Sequence, residues 1–213
     1  MTPTLWIWPL LFFLAIITAI LRSPWFKGWQ GEMIIRVACR LLDQRAYRAI
    51  HNVTLSTPDG GTAQIDHIIV SRFGIFVVET KNYRGAIYGS GQDRTWKQVI
   101  GRQKNSFRNP LRQNYCHVVA LAEVVGIPRE KCKSVVMFTG SARLKTRNKL
   151  PENVLTHGLL AYIKSHRELL LSADEIKCVV RIIAEKRLAP NFTTRRRHVQ
   201  NVRGRVDNRR AKR

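Results

Sequence analysis

The chain has 213 residues, 45% of them hydrophobic, which suits one globular domain with appendages and excludes two full domains. Lysine and arginine number 37 against 14 acidic residues, which gives a formal charge of +23 and a pI near 11.0. This excess favours a polyanionic partner, nucleic acid or anionic lipid, over the simpler alternative of a basic soluble surface. The four cysteines form no Cys-x-x-Cys pair, so a zinc ribbon or redox pair is not indicated and reduced core thiols are predicted.

The first predicted element is an uncharged apolar run from Leu5 to Leu21. As a helix it spans roughly 25 Å, close to the thickness of a hydrocarbon core. Arg22 and Lys27 follow the run and no Lys or Arg precedes it. The positive-inside rule therefore predicts a single-pass anchor in the inner (cytoplasmic) membrane, with the N-terminus outside and the rest in the cytoplasm. A cleaved secretory signal and a buried or amphipathic helix are the alternatives.

A first amphipathic helix is predicted after a short linker, within "GEMIIRVACRLLDQRAY", which starts at Gly31. Apolar residues recur on one side of it at helical spacing: Met33, Ile34, Val37, Ala38, Leu41 and Leu42. Alternating and apolar runs then predict strands at 47–55, 62–71 and 74–82, with two short strands at 85–90 and 95–99.

The second half of the chain predicts helices around one buried strand. Asn109 and Pro110 favour a helix start, and Gly126 marks its end. "KSVVMFTG" at 133–140 is typical of a strand covered on both faces, and further helices follow from near His157 and from Ser172 to about Leu188. The order predicts an α/β fold with one mixed β-sheet flanked by helices.

We divide the chain into an anchor and its flank at 1–27, a domain at 28–190, and a tail at 191–213. Residues 194–213 hold nine Lys or Arg and one acid, a composition typical of a disordered basic tail.

Charged residues within the apolar strands predict a site. Period-two alternation puts Glu79 and Lys81 on one face of their strand. A tight turn at 72–73 would set Asp66 directly opposite Glu79, where like charges destabilise each other unless a cation lies between them. A divalent ion fits because Mg²⁺ prefers carboxylate oxygens, and Lys81 adds a fixed charge. The simpler alternative is a cross-strand salt bridge from Lys81 to either acid.

Three more polar residues are candidates for the same cleft. Gln113 and His117 are four apart on one helical face and can reach the same phosphate, although His117 also suits a core position. Gln98 shares a strand face with Trp96 and is a candidate cleft residue, although an exposed polar strand residue is also ordinary.

The order of these motifs resembles the PD-(D/E)xK nuclease superfamily, and the stretch from Gly31 to about Ala122 resembles the nuclease-related domain, NERD, in particular. The matching segments are "GE" at 31–32, "QIDHIIVS" at 64–71, "GIFVVETKNYRGAIYG" at 74–89, Trp96 with Gln98, and "NPLRQNYCHVVAL" at 109–121.

The resemblance implies a restriction-endonuclease-like core and metal-dependent phosphodiester cleavage. Asp66 and Glu79 would then ligate Mg²⁺, with Mn²⁺ as the alternative ion and the Thr80 carbonyl as a third oxygen. Glu32 would complete the shell directly or through water. Lys81 would orient the attacking water and offset charge in the transition state.

Basic stretches predict the partner. "RTWKQVIGRQKNSFRNPLRQ" at 94–113 mixes six Lys or Arg with Trp96 and Phe107, which suits a phosphate backbone and occasional base stacking, or else a solvated loop. No base-reading helix is evident, so little sequence specificity is expected.

The predicted function is a membrane-anchored, Mg²⁺-dependent nuclease acting on nucleic acid, DNA first. One alternative is a catalytically silent nucleic-acid-binding module held at the membrane, and another is a structural membrane protein that binds anionic lipid.

Overall fold

The computed structural model describes residues 7–57 and 60–189. The predicted basic tail and the first residues of the predicted anchor lie outside the described residues. Five α-helices and nine β-strands follow one another in the described part of the chain. The helices are α1 (Ile7–Arg22), α2 (Pro24–Cys39), α3 (Pro110–Val125), α4 (Leu159–Ser165) and α5 (Ala173–Lys186). The strands are β1 (Tyr47–Ser56), β2 (Thr62–Ser71), β3 (Gly74–Asn82), β4 (Gly85–Tyr88), β5 (Thr95–Ile100), β6 (Gln103–Arg108), β7 (Cys132–Thr139), β8 (Ala142–Leu144) and β9 (Val154–Leu155).

The ends of α3 and α5 follow the capping signals in the sequence. The Asn109 side chain accepts from the backbone N–H of Leu111, and Gly126 ends α3 with a left-handed φ of 71°. Ser172 and Glu175 form a reciprocal capping box at the start of α5. The predicted starts of these two helices are therefore confirmed.

The central sheet has the order β1-β2-β3-β7-β9. Pairing is antiparallel from β1 to β3 and parallel from β3 to β9, so the sheet is mixed. Its middle strands are apolar on both faces because helices cover both sides. On one face Ile75 and Val77 belong to the core that α3 and α5 cover, and on the other Phe76 and Val78 belong to the core with α2 and α4.

A second sheet, with the order β6-β5-β4-β8, extends the fold beyond the end of β3. Strands β4, β5 and β6 are antiparallel, and β8 joins β4 in parallel. Trp96 is fully buried beneath this sheet and stacks on Phe138 with ring centroids 6.0 Å apart. The prediction of a single mixed sheet was therefore wrong, while the mixed α/β class with flanking helices is confirmed.

The N-terminal helices also differ from the prediction. Helix α2 begins at Pro24 rather than after a linker, because the Ser23 hydroxyl accepts from the Phe26 N–H and proline is tolerated in a first turn. The side of α2 that packs on the core carries Ile35 and Cys39, with Leu42 just beyond the helix. Three residues of the predicted buried side are instead exposed: Ile34, Val37 and Leu41.

Helix α1 has no buried residue. Within the described residues, no single helix has the length and apolarity needed to cross a membrane. Helices α1 and α2 satisfy the length and composition test only as a pair, and they meet at a bend of 59°. The predicted transmembrane helix is therefore not confirmed as one straight span.

Two of the four thiols depart from the sequence prediction. Cys39 and Cys132 are buried and free, whereas Cys116 and Cys178 are free but exposed. Both exposed cysteines lie on helices, where one turn carries both core-facing and solvent-facing positions, so an apolar sequence neighbourhood does not guarantee burial.

Candidate active site

The β2–β3 hairpin turns where the sequence predicted. Ser71 pairs with Gly74 and His67 pairs with Val78, so the next position along the ladder sets Asp66 opposite Glu79. The regular ladder stops one pair short of it. There the Asp66 carboxylate accepts a hydrogen bond of 2.8 Å from the Thr80 backbone N–H, which holds this acid against the end of β3.

Glu79 is at the centre of the polar cluster and is only 2% exposed. Its Oε1 is 2.6 Å from the Lys81 Nζ, the side chain two residues along the same face of β3. The other carboxylate oxygen, Oε2, is buried without a hydrogen-bond partner among the described residues and lies 3.4 Å from the His117 Nδ1. The cluster therefore contains the predicted Glu79–Lys81 salt bridge together with an oxygen that is open to a further ligand.

Helix α3 brings Gln113 and His117 to this carboxylate. The Gln113 Nε2 donates to Glu79 Oε1 at 2.7 Å, and its Oε1 accepts from Lys81 at 3.1 Å. Asn114 holds the helix in place, because its buried amide donates to the carbonyl oxygens of Val77 at 2.8 Å and Val135 at 3.0 Å. One buried amide thus fixes α3 across two strands, and its neighbours reach the acid.

Glu32 approaches from α2, on the other side of the sheet. The preceding Gly31 lies so close to the sheet that an added Cβ would be 2.7 Å from the Thr139 Oγ1 and 2.8 Å from the Asn82 Cβ. A side chain at residue 31 would push α2 outward. Glycine there lets Glu32 reach the same cavity as the other acids.

The electrostatics of the two charged partners of Glu79 run in opposite directions. Burial raises the pKa of Asp66 well above 3.8, and the charges of Glu79 and Glu32 raise it further against the opposing Thr80 N–H. Burial by itself would lower the pKa of Lys81, but the charge and hydrogen bond of Glu79 outweigh it and raise this pKa. Lys81 is therefore an ammonium at neutral pH, and the acids carry an unfavourable concentration of negative charge.

His67 lies beside Asp66 in sequence but on the opposite face of β2, as predicted. It is fully buried, and its Nδ1 is 2.8 Å from the Nδ1 of His51. Burial, followed by the nearby His51 and Arg36, lowers the pKa of His67 to about 3. It is a neutral residue of the core, separate from the acid cluster.

A cavity of about 980 Å³ gathers most of the predicted site residues. They are Glu32, Asp66, Glu79, Thr80, Lys81, Gln113 and His117. Three arginines also line it, Arg94, Arg108 and Arg112, on the loop before β5, the end of β6 and the first turn of α3. Acids at the base with cations nearby suit a phosphodiester group more than a neutral ligand.

Gln98 does not join this group. It lies on β5 of the second sheet, where its Nε2 donates to the Arg84 carbonyl at 3.0 Å and its Oε1 is 3.4 Å from the Asn105 Nδ2. It is not among the residues that line the cavity. The structure therefore separates Gln98 from the other predicted site residues, because β5 belongs to a sheet that the sequence did not reveal.

The predicted base-stacking aromatics are also placed elsewhere. Trp96 is fully buried, and Phe107 packs edge-on against Tyr83 with centroids 4.6 Å apart. Neither ring offers a free face to a base, so this prediction was wrong. The aromatic residue at the cavity is Tyr115, which is 55% exposed and which the sequence reasoning missed. Its position two residues after Gln113 on α3 was the available signal.

The oxygen-rich donor set suits a hard divalent cation in kind. Asp66 and Glu79 each hold one carboxylate oxygen in a hydrogen bond, and the buried Glu79 Oε2 is left for a ligand. Within the described residues no group of three or more His, Cys, Asp or Glu side chains is arranged to hold a metal ion. The ligand types therefore fit Mg²⁺ or Mn²⁺, and a full coordination shell is not preformed.

Comparison with known proteins identifies the family. Residues 27–139 match the family model for the nuclease-related domain, NERD. The chain belongs to the NERD family. It is 39% identical over 163 residues to an uncharacterized protein of Bacillus anthracis, a match that covers 75% of this chain and 76% of the relative.

Among solved structures, this NERD protein matches the crystal structure of a protein of unknown function, AF1548. That match covers 75% of this chain and 96% of the other, with 13% sequence identity and a TM-score of 0.36. This likeness is too low to support a fold assignment.

Proposed function

We propose that this protein is a membrane-anchored, Mg²⁺-dependent nuclease that hydrolyses phosphodiester bonds in nucleic acid, with DNA as its substrate. Membership of the nuclease-related family supports the general class. The observation that carries the proposal is the single cavity in which Asp66, Glu79 and Lys81 lie beside cavity-lining arginines. A restriction-endonuclease-like arrangement of the core, with acids at the end of a β-hairpin, is part of the same proposal.

The carboxylates of Asp66 and Glu79 would hold the cation, with Glu32 and the Thr80 carbonyl as additional oxygen ligands. Mn²⁺ is the alternative ion. When bound, the cation would polarise a phosphoryl oxygen and reduce the charge repulsion against an incoming nucleophile.

The protein's own residues account for the rest of the proposed mechanism. Lys81 keeps its proton because its pKa is raised, so it acts as a donor that orients water and offsets charge in the transition state, not as a base. Gln113 contacts both Glu79 and Lys81 and fixes their relative position. The arginines at the cavity neutralise substrate phosphates and steer a polyanion inward.

The membrane part of the proposal depends on α1. Its 16 residues carry no acid in the first turn and Arg22 in the last, and none is buried by the domain. Exposed apolar surface of this extent marks an interaction site, and lipid is the partner that matches its uniform apolarity. We propose the single-pass topology with the domain in the cytoplasm, with Arg22 and Lys27 on the inner side.

One observation favours a second function. Glu79 Oε1 already contacts Lys81 and Gln113, an arrangement that is stable without a metal. A catalytically silent module that binds nucleic acid at the membrane would keep the cavity and its arginines but not the cleavage.

Cleavage of supercoiled plasmid by the full chain in detergent micelles separates the two functions. We expect nicking that requires Mg²⁺, stops with EDTA, and is lost in Glu79→Gln. The control is Glu168→Gln, which removes the same charge from an exposed residue outside the cavity. Plasmid that stays intact but retarded with all three proteins would establish the silent module instead.

A further inference from the structure

The β5–β6 hairpin has two chemically different faces. Cross-strand pairing puts Trp96 beside Phe107 on one face, which packs on the core of the second sheet. The same register pairs Thr95 with Arg108, Lys97 with Ser106, and Val99 with Lys104 on the other. We call this second set the outer face of the hairpin. It combines three cations with two hydroxyl side chains, and its polar members are all exposed.

From this geometry we propose that the outer face of the hairpin is a binding surface for the phosphodiester backbone of the substrate, continuous with the cavity. This inference rests on the proposed function, because it takes nucleic acid as the substrate. It goes further in assigning a surface outside the cavity and the kind of contact made there. The contacts are ionic and to phosphate, so they carry no base preference.

Arg108 provides the continuity. It lines the cavity, and it is also the end of β6 and the first cation of the outer face. From Arg108 to Lys104 the strand advances four residues, or about 14 Å. A strand of B-form DNA advances about 3.4 Å per nucleotide, so this face is long enough to follow about four phosphates.

The charges of this face are not explained by contacts within the protein. In the described part of the chain, neither Lys97 nor Lys104 takes part in an ion pair. The hairpin sequence at 95–108 contains no Asp or Glu. Like charges on neighbouring strands repel each other, so the cluster costs stability unless an anion binds it.

Protection of a sheet edge and attraction to lipid account for these cations less well. Lysine on an edge strand discourages aggregation, which accounts for Lys104 on β6 but not for Lys97, because β5 is an interior strand. Anionic lipid would also attract the charge. However, the one apolar member of this face, Val99, is partly buried, so little is available for insertion into a bilayer.

Binding of fluorescein-labelled DNA by the full chain in detergent micelles tests this inference, in a Glu79→Gln background that prevents cleavage. The test variant is Lys97→Gln with Lys104→Gln. The matched control is Lys164→Gln with Lys186→Gln, which removes two exposed lysines from α4 and α5. Both variants lower the net charge equally, so only position differs.

For a duplex of about 20 base pairs, we expect the hairpin variant to weaken binding by about 30-fold at 0.15 M salt, and the control by less than about twofold. The slope of log K against log salt should fall by about 1.8, as expected for two lost phosphate contacts. An oligonucleotide of about four nucleotides, too short to fill the cavity and leave it, should bind both variants equally. A duplex that loses equal affinity with both variants would overturn the inference.

A second arm uses phosphatidylserine vesicles without DNA. If the hairpin variant released vesicles but kept full affinity for the duplex, the surface would bind lipid and the inference would be wrong. The inference and the proposed function fail separately. A chain that binds DNA through the hairpin but never nicks plasmid would keep this surface and lose the nuclease.

Discussion

The two sheets of this protein present charge in opposite ways. In the central sheet, helices cover both faces, and the acids at its end are buried, hydrogen-bonded and held by α3. In the second sheet only one face is covered, and the cations on the other are exposed. Chemistry needs groups fixed at short distances in a site with little water, whereas binding a polyanion needs accessible charge. The fold meets these two requirements in separate sheets.

A first way to break this comparison is to remove Trp96, which the structure makes a core residue of the second sheet. Trp96→Ala should lower the free energy of unfolding by about 3–5 kcal/mol, because it leaves a large cavity beneath β5. Urea unfolding in detergent micelles measures the change, with the smaller Trp96→Phe substitution as control. If Trp96 instead stacked on bases, DNA affinity would fall while stability stayed the same.

The two glutamines that sequence reasoning treated alike give a sharper contrast. Gln113→Ala should slow plasmid cleavage by about 10- to 100-fold, the cost typical of a residue that supports metal ligands. Gln98→Ala should leave the rate within about twofold, because its contacts are to Arg84 and Asn105 outside the cavity. Equal losses from both substitutions would show that the second sheet takes part in the chemistry.

Tyr115 tests whether the aromatic residue at the cavity contacts a base. Tyr115→Ala should weaken binding of single-stranded DNA by at least about fivefold, since base stacking contributes about 1–3 kcal/mol. Tyr115→Phe keeps the ring and should bind as the parent does, although it loses the hydrogen bond from Arg129. Equal weakening by both variants would assign the effect to that hydrogen bond.

Asp66 should show the smallest effect, on stability. Its pKa is raised, so the folded chain binds the proton more tightly than the unfolded chain. Stability therefore falls as pH rises from the ordinary carboxyl pKa through the raised value, and the loss is complete above it. In EDTA, Asp66→Asn should raise the midpoint of thermal unfolding slightly at pH 8 and flatten its pH dependence. Glu168→Gln should leave both unchanged, and a lower midpoint for Asp66→Asn would contradict this account.

The sequence predicted the hairpin register, because its turn and its alternating pattern agree. Ser71 and Gly74 close the turn at the predicted place, and this puts Asp66 and Glu79 at neighbouring positions. The start of α3 was equally clear, since Asn109 and Pro110 are both strong local signals. These elements are set by neighbours in sequence, so local patterns suffice to find them.

Features that depend on distant contacts were not predictable. Strand β6 reads "QKNSFR" and is exposed at all but Phe107, so it has no alternating pattern and resembles a basic loop. The division into two sheets and the burial of Trp96 against Phe138 follow from that missing strand. The buried side of α2 was misjudged because exposed apolar residues, such as Ile34 and Leu41, lie among buried ones.

The most direct test of the central claim is a titration of the full chain in detergent micelles with Mn²⁺, followed by the paramagnetic resonance signal of the free ion. This readout does not depend on cleavage. We predict one site per chain, competed by Mg²⁺, lost in Glu79→Gln and retained in Glu168→Gln. Absence of binding, or binding that Glu79→Gln leaves unchanged, would contradict the claim that these acids form a cation site.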